Sequence, residues 1–118
     1  TPETPNVLAI YLLGKVCQDM LDKKIKDIRY ETEKKAKLLY DYFERKKGFK
    51  IFVKDKNFRS NTVVVVDVAG GSKKLIEKLK TKGIIISSGY GQYKETQVRI
   101  ANFPQHTKKD IEKLLANF

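Results

Sequence analysis

The spacing of apolar residues changes along this chain, and each change marks an element. Over residues 6–21, Val7, Leu8, Ile10, Tyr11, Leu12, Leu13, Val16, Met20 and Leu21 cover more than one stripe of a helix. That pattern predicts a helix contacted on several sides. Thr4-Pro5 suits its start: a Thr hydroxyl can accept from free backbone N–H groups, and Pro in the first turn loses no helical hydrogen bond. Residues 24–45 place Ile25, Ile28, Thr32, Ala36, Leu39 and Phe43 at three- and four-residue spacing, with charges elsewhere. They predict a long amphipathic helix, ended by Gly48 where a left-handed cap residue is wanted.

Beyond Gly48 the period shortens. Residues 49–53 alternate apolar and basic side chains as an edge strand does, and residues 54–61 form a polar connection. Residues 62–68 are β-branched with apolar side chains on both faces, the pattern of a buried central strand. Gly70-Gly71-Ser72 turns the chain, with Ser72 a candidate N-cap, into a short helix carrying Leu75, Ile76 and Leu79 and stopped by Gly83. Residues 84–88 predict a second buried strand, Gly89-Tyr90-Gly91 a loop, and residues 97–101 a third strand. A last helix starts near Thr107, with Asp110 completing a capping-box-like pair and Ile111, Leu114 and Leu115 as its buried stripe. The order α-α-β-β-α-β-β-α implies an α+β two-layer small domain, a three- to four-stranded sheet with helices mainly on one face. With no repeat, low-complexity tract or flexible linker, residues 1–118 read as a single domain.

Composition narrows the functions. The chain has 25 Lys plus Arg against 14 Asp plus Glu, a net charge of +11. Such an excess could track a phosphate backbone. Its distribution argues otherwise: residues 22–56 hold 13 basic and 7 acidic side chains, intermixed on the long helix as on a solvated face. Only four of the basic residues are Arg, the better partner for phosphate or base edges. The valine- and isoleucine-rich strands offer no ring for a base to stack on, so nucleic acid is not the expected partner. No apolar run nears the roughly 20 residues of a membrane-spanning helix, so no membrane partner is expected. A lone Cys17 and a single His106 exclude disulfide and zinc frameworks. Cys17, on an apolar helix, reads as a small buried thiol, and His106 as an exposed turn residue. No nucleophile elbow, paired carboxylates, P-loop or dinucleotide glycine pattern is present. With no leader at Thr1-Pro2 and no initiator Met, the expectation is a cytoplasmic piece of something longer.

Arg99 is the remaining candidate. It sits in a strand of apolar and small residues, Val98, Ile100 and Ala101. A guanidinium held on a strand can grip a carboxylate through two parallel hydrogen bonds, which Lys cannot reproduce. From its own surroundings, an outward-facing Arg on a half-exposed strand is an equal alternative.

The stretch from Gly89 to Pro104, reading GYGQYKETQVRIANFP, resembles the C-terminal domain of class V (fold type I) pyridoxal-phosphate aminotransferases, most closely the branch acting on phosphoserine. Glu3-Thr4-Pro5 before an apolar helix is similar to the family's Asn-Thr-Pro segment. The run KDKNFRSN over residues 54–61 is similar to its Asn-Arg-Ser connection, and residues 106–115 to its terminal helix. The resemblance runs in order along essentially the whole chain. It implies that Arg99 binds the α-carboxylate of an amino-acid or 2-oxo-acid substrate. It also implies that the Thr4 hydroxyl reaches the phosphate of pyridoxal 5'-phosphate in the neighbouring subunit of a homodimer. Glu3 stands where the family has Asn, and a carboxylate beside a phosphate is repelled, so that contact is not carried over. The His-Arg pair with which the phosphoserine branch holds its substrate phosphate is absent from residues 87–91, which leaves the amino donor open.

The family's cofactor-anchoring lysine, stacking ring and pyridine-pairing Asp lie upstream, in a large domain, and none is present here. The resemblance therefore implies a C-terminal small domain that is inert alone, with residues 1–21 the linking helix from its own large domain and their apolar surface exposed without it. Two other classes stay open from the residues themselves. A basic α+β nucleic-acid-binding module predicts salt-sensitive oligonucleotide binding, and a stand-alone amino-acid-binding regulatory domain predicts a stable monomer that binds its ligand unaided.

Overall fold

The structure is a computed structural model, and it describes residues 3–118. Helix α1 (Val7–Asp22) leads into the long helix α2 (Ile25–Arg45), then strands β1 (Phe49–Ile51) and β2 (Val63–Val68). Helix α3 (Lys73–Thr81), strands β3 (Ser87–Ser88) and β4 (Gln97–Ala101), and helix α4 (Lys108–Leu115) complete the chain in the expected order. The sheet is antiparallel throughout, ordered β1-β2-β4-β3.

Alternation along the strands decides what each face does. Ile51, Val64, Val66, Val98 and Ile100 turn to one side and are buried there against Leu39 and Phe43 of α2, Leu79 of α3, and Ile111 and Leu114 of α4. Phe43 anchors this layer, its ring meeting those of Tyr42, Phe49 and Phe118 at centroid distances of 5.0–5.5 Å. Among the described residues no α-helix packs on the other side of the sheet: Val63 and Val65 are half-buried there and Arg99 and Ala101 exposed. The two-layer α+β reading therefore holds.

Helix α1 stands apart. None of its residues is buried, and Val7, Leu8, Ile10 and Leu13 are all more than 60% exposed. The expected contact on several sides is absent from the described chain, and the apolar surface of the helix is exposed. The Cα radius of gyration, 17.0 Å, exceeds the roughly 13.5 Å of a compact domain of this length, because this helix projects. Cys17 lies on it and is exposed, against the expectation of a buried thiol.

Other local readings change for identifiable reasons. The helix cap is Asn6, whose Oδ1 accepts from the Ala9 N–H at 3.0 Å, and not Thr4. Ser72 caps nothing with its side chain, because its hydroxyl instead donates to the Lys94 carbonyl at 2.9 Å. Residues 84–88 are not a buried strand. Only Ser87 and Ser88 pair, at the sheet edge, while Ile86 is pinned into the core and Ile85 is 87% exposed. A run of isoleucines satisfies the core with one inward residue as well as with a strand. Strand β1 stops at Ile51, though the Phe52 N–H still donates to Val65 O. Ile25 stays exposed and Ile28 half-buried, because the buried stripe of α2 begins only at Thr32.

The Thr107–Asp110 capping box forms as expected. Hydrogen bonds from the Thr107 hydroxyl and backbone N–H hold the Asp110 carboxyl below its ordinary 3.8, and the Arg59 guanidinium does the same for Glu44. A depressed folded-state pKa stabilises the fold fully above the unfolded value and loses that contribution as pH falls through the folded one. Denaturant unfolding between pH 6 and pH 2 is therefore expected to show a shallower acid limb in Asp110→Asn than in the parent, and superimposable limbs would refute the assignment.

Candidate functional site

The open face of the sheet is built in rows by the strand register. Asp67 and Gln97 face each other across β2 and β4, as do Val65 and Arg99, and Ser87 on β3 faces Arg99 in turn. The neighbouring row is covered. The single turn of 3₁₀ helix at Gly91–Tyr93 folds back over Gly89 and Gln97, leaving Gln97 only 3% exposed with its amide donating to Asp67 Oδ1 at 2.8 Å. The Tyr93 ring meets that of Phe52 at 5.3 Å. Arg99 thus lies just beyond the covered part of the sheet, on the same face.

Its side chain is turned toward the β3 edge, where Nε donates to the Ser88 carbonyl at 2.9 Å. Among the described residues no carboxylate lies within ion-pair distance of Arg99. A guanidinium fixed through Nε with its terminal N–H pair uncommitted is the donor arrangement that a carboxylate accepts in two parallel bonds. Other basic side chains are already engaged: Lys23 with Asp19, Arg29 with Glu33, Lys37 with Asp41 and Arg59 with Glu44. The Lys23, Arg29 and Lys37 pairs are exposed and contribute little stability, and the Arg29 and Lys37 pairs both lie on α2, as on a solvated face, whereas Arg59 is largely covered.

Thr4 is exposed just ahead of α1 and is joined to the Arg99 face by no hydrogen bond, so the two candidate residues form no single cluster within this chain. For a cofactor phosphate, Thr4 supplies a hydroxyl donor close to a helix N-terminus, which is suitable chemistry for an anion. Among the described residues one lysine is buried: Lys35, 4% exposed, in the middle of α2. Its ammonium is committed to two carbonyls, Phe103 O at 3.1 Å and His106 O at 2.5 Å. Burial lowers its pKa, yet its role is to clasp the turn after β4 to α2. Its signal in the sequence was faint, one lysine on the apolar stripe beside Ala36. His106 belongs to the same turn: it is half-buried and its Nδ1 accepts from the Phe103 N–H at 3.0 Å. This residue is structural, and less exposed than its position suggested.

Among the described residues no group of His, Cys, Asp and Glu could hold a metal ion, and no helix is long and apolar enough to cross a membrane. What the fold presents is an α+β domain with a guanidinium exposed on its open sheet face and an apolar helix that the described residues do not cover. The family model for class-V aminotransferases matches residues 3–114, and the chain belongs to that family. Its members work with pyridoxal 5'-phosphate.

Solved structures agree. The chain is 42% identical to a phosphoserine aminotransferase from Cytophaga hutchinsonii, with a TM-score of 0.93 over 99% of this chain and 32% of that one. A phosphoserine aminotransferase from Bacillus circulans subsp. alkalophilus shares 20% identity (TM-score 0.80; 98% of this chain, 32% of that one). The cysteine desulfurase CsdA of Escherichia coli shares 23% (TM-score 0.76; 98% and 30%). These last two likenesses concern the fold alone. The chain spans about a third of the length of the structures it matches. No curated protein matches it by sequence.

Proposed function

We propose that this chain is the C-terminal small domain of a pyridoxal-phosphate aminotransferase of the phosphoserine type, acting in serine biosynthesis in the cytoplasm as a homodimer. In this reading Arg99 grips the α-carboxylate of the amino-acid or 2-oxo-acid substrate, and Thr4 donates a hydrogen bond to the cofactor phosphate of the neighbouring subunit. Residues 1–21 link to the protein's own large domain, whose surface covers α1. The observation that carries the reading is Arg99 itself, exposed on the open sheet face with Nε held by Ser88 O and no carboxylate of the described chain within ion-pair distance. When bound, the cofactor supplies the electron sink through which the amino group is transferred. This chain orients the substrate by its carboxylate and walls the cleft.

With its lysines on solvated faces or tied to carbonyls, the chain alone is inert. Nucleic acid has no part in the reading, and neither does a membrane. The amino donor is set outside the carboxylate grip. Phosphoserine is the first to test, because of the 42% identical relative, even though residues 87–91 lack the His-Arg pair.

The test uses the intact protein loaded with pyridoxal phosphate. Adding L-phosphoserine or L-glutamate without a 2-oxo acid is expected to convert the visible absorption of the cofactor to that of its amine form, and a 2-oxo acid to reverse it. A spectrum unmoved by every amino acid would overturn the proposal.

A further inference from the structure

Among the described residues the Arg99 side chain has one hydrogen-bond partner, the Ser88 carbonyl, and the aim of its terminal N–H pair is set by wherever that carbonyl is held. The next residue, Gly89, is buried and donates its N–H to Gln97 O at 2.7 Å. Its φ is not in the left-handed region, so conformation does not demand glycine there. Space does. A Cβ on Gly89 would overlap the Tyr93 carbonyl oxygen and come within 2.7 Å of Tyr93 C and 2.8 Å of Gln97 Cβ. The backbone of the Gly91–Tyr93 turn rests directly on Gly89.

The far flank of the same loop is gripped by the turn after β2. Ser72, 1% exposed, uses its hydroxyl on Lys94 O and its N–H on Glu95 O, both at 2.9 Å. The Val68 N–H holds Thr96 O at 2.8 Å. Gly71, at φ +94°, would put a Cβ 3.2 Å from Glu95 O. Residues 89–96 are therefore clasped between a glycine that lets the loop lie flat on the sheet and a serine that ties down its return.

We propose that Gly89 and Ser72 are positioning residues for Arg99. Through the clasp they fix the Ser88–Gly89 peptide, and through that carbonyl they fix the angle at which the guanidinium meets a carboxylate. The proposal rests on reading Arg99 as the carboxylate grip and adds to it the device that fixes the direction of the grip. Bidentate recognition is lost with small displacements, so loosening the clasp costs carboxylate recognition before it costs the fold.

The experiment compares, in the full-length enzyme loaded with its cofactor, the apparent Kd of an amino-acid donor with that of the amine lacking its α-carboxylate. The ratio of the two isolates the carboxylate contact. Arg99→Ala is expected to collapse the ratio by about 100-fold. Gly89→Ala should lower it about tenfold, Ser72→Ala about threefold, and Gly89→Ala should add nothing in the Arg99→Ala background. Ser72→Ala introduces no clash and carries the test if Gly89→Ala does not accumulate as holoenzyme.

If Arg99→Ala collapses the ratio while Ser72→Ala and any foldable Gly89→Ala leave it unchanged, or weaken both ligands equally, positioning is refuted and the grip survives. If Arg99→Ala leaves the ratio unchanged, the grip is wrong and the positioning falls with it.

Discussion

Arg99→Lys in the intact enzyme is expected to reduce kcat/KM for the amino donor by about 10- to 100-fold, the equivalent of about 1.4–2.7 kcal/mol. Lysine keeps the charge but replaces a planar fork with one mobile ammonium, so one of two parallel bonds goes and the direction of the other is no longer fixed. The Ser88 carbonyl, which accepts from Arg99 Nε in the parent, no longer orients the group. A carboxylate contact is made in ground state and transition state alike, so the loss should fall mainly on KM, with kcat changed less. The amino-acid and 2-oxo-acid half-reactions should suffer together, because both substrates bring the same carboxylate.

Thr4→Ala should behave differently. It removes one neutral donor, worth about 1 kcal/mol, and its effect should be seen as weaker retention of the cofactor with less than about tenfold change in kcat/KM. Half-reaction kinetics and cofactor titration on the two variants separate these outcomes. Small and equal effects of the two substitutions would sink the assignment of Arg99.

The architecture was legible because periodicity tracks burial wherever an element has one apolar face. The stripe Thr32, Ala36, Leu39, Phe43 and the alternation in β4 both lead to the observed core. The exposure of Arg99 was legible for the same reason, as a charged residue between the buried Val98 and Ile100, while its role as a carboxylate grip came only from the resemblance. What stayed hidden depends on partners far away in sequence. Ser72 looked like a cap because Ser before a helix usually is one, and only the fold shows Lys94 O within reach of its hydroxyl. Lys35 looked like one more solvated lysine until the turn after β4 brought two carbonyls to it. The apolar breadth of α1 reads as a demand for several neighbours, and the described chain does not contain them. Gly89 resembled an ordinary loop glycine, since close approach of a backbone leaves no trace in composition.

Asn102, three residues after Arg99, tests how firmly the end of that strand is tied down. It is fully buried, and its Nδ2 donates to Thr32 O at 3.0 Å and Asn61 O at 2.8 Å, while its own N–H donates to Thr62 O. Two carbonyls face the amide, so the nitrogen must be the atom between them. The Oδ1 oxygen accepts from nothing among the described residues. Asn102→Ala deprives two carbonyls of their shared donor and opens a small cavity, an expected loss of about 2–4 kcal/mol in full-length protein.

Asn102→Asp changes the shape hardly at all but reverses the chemistry. An ionised carboxylate would confront two carbonyl oxygens without water, so its folded-state pKa must rise above the unfolded value. A raised carboxyl pKa gives stability that is present below the unfolded pKa and lost as pH rises through the folded one. The aspartate variant should therefore be less stable than the alanine variant at pH 7 and recover relative to it as the pH is lowered toward 4, where a protonated carboxyl can donate to one carbonyl. Denaturant melts of the full-length variants at the two pH values measure this directly. If the two variants keep the same order and the same gap at both, the amide contributes by volume alone, and β4 is held by packing and not by its hydrogen bonds to α2 and the 61–62 connection.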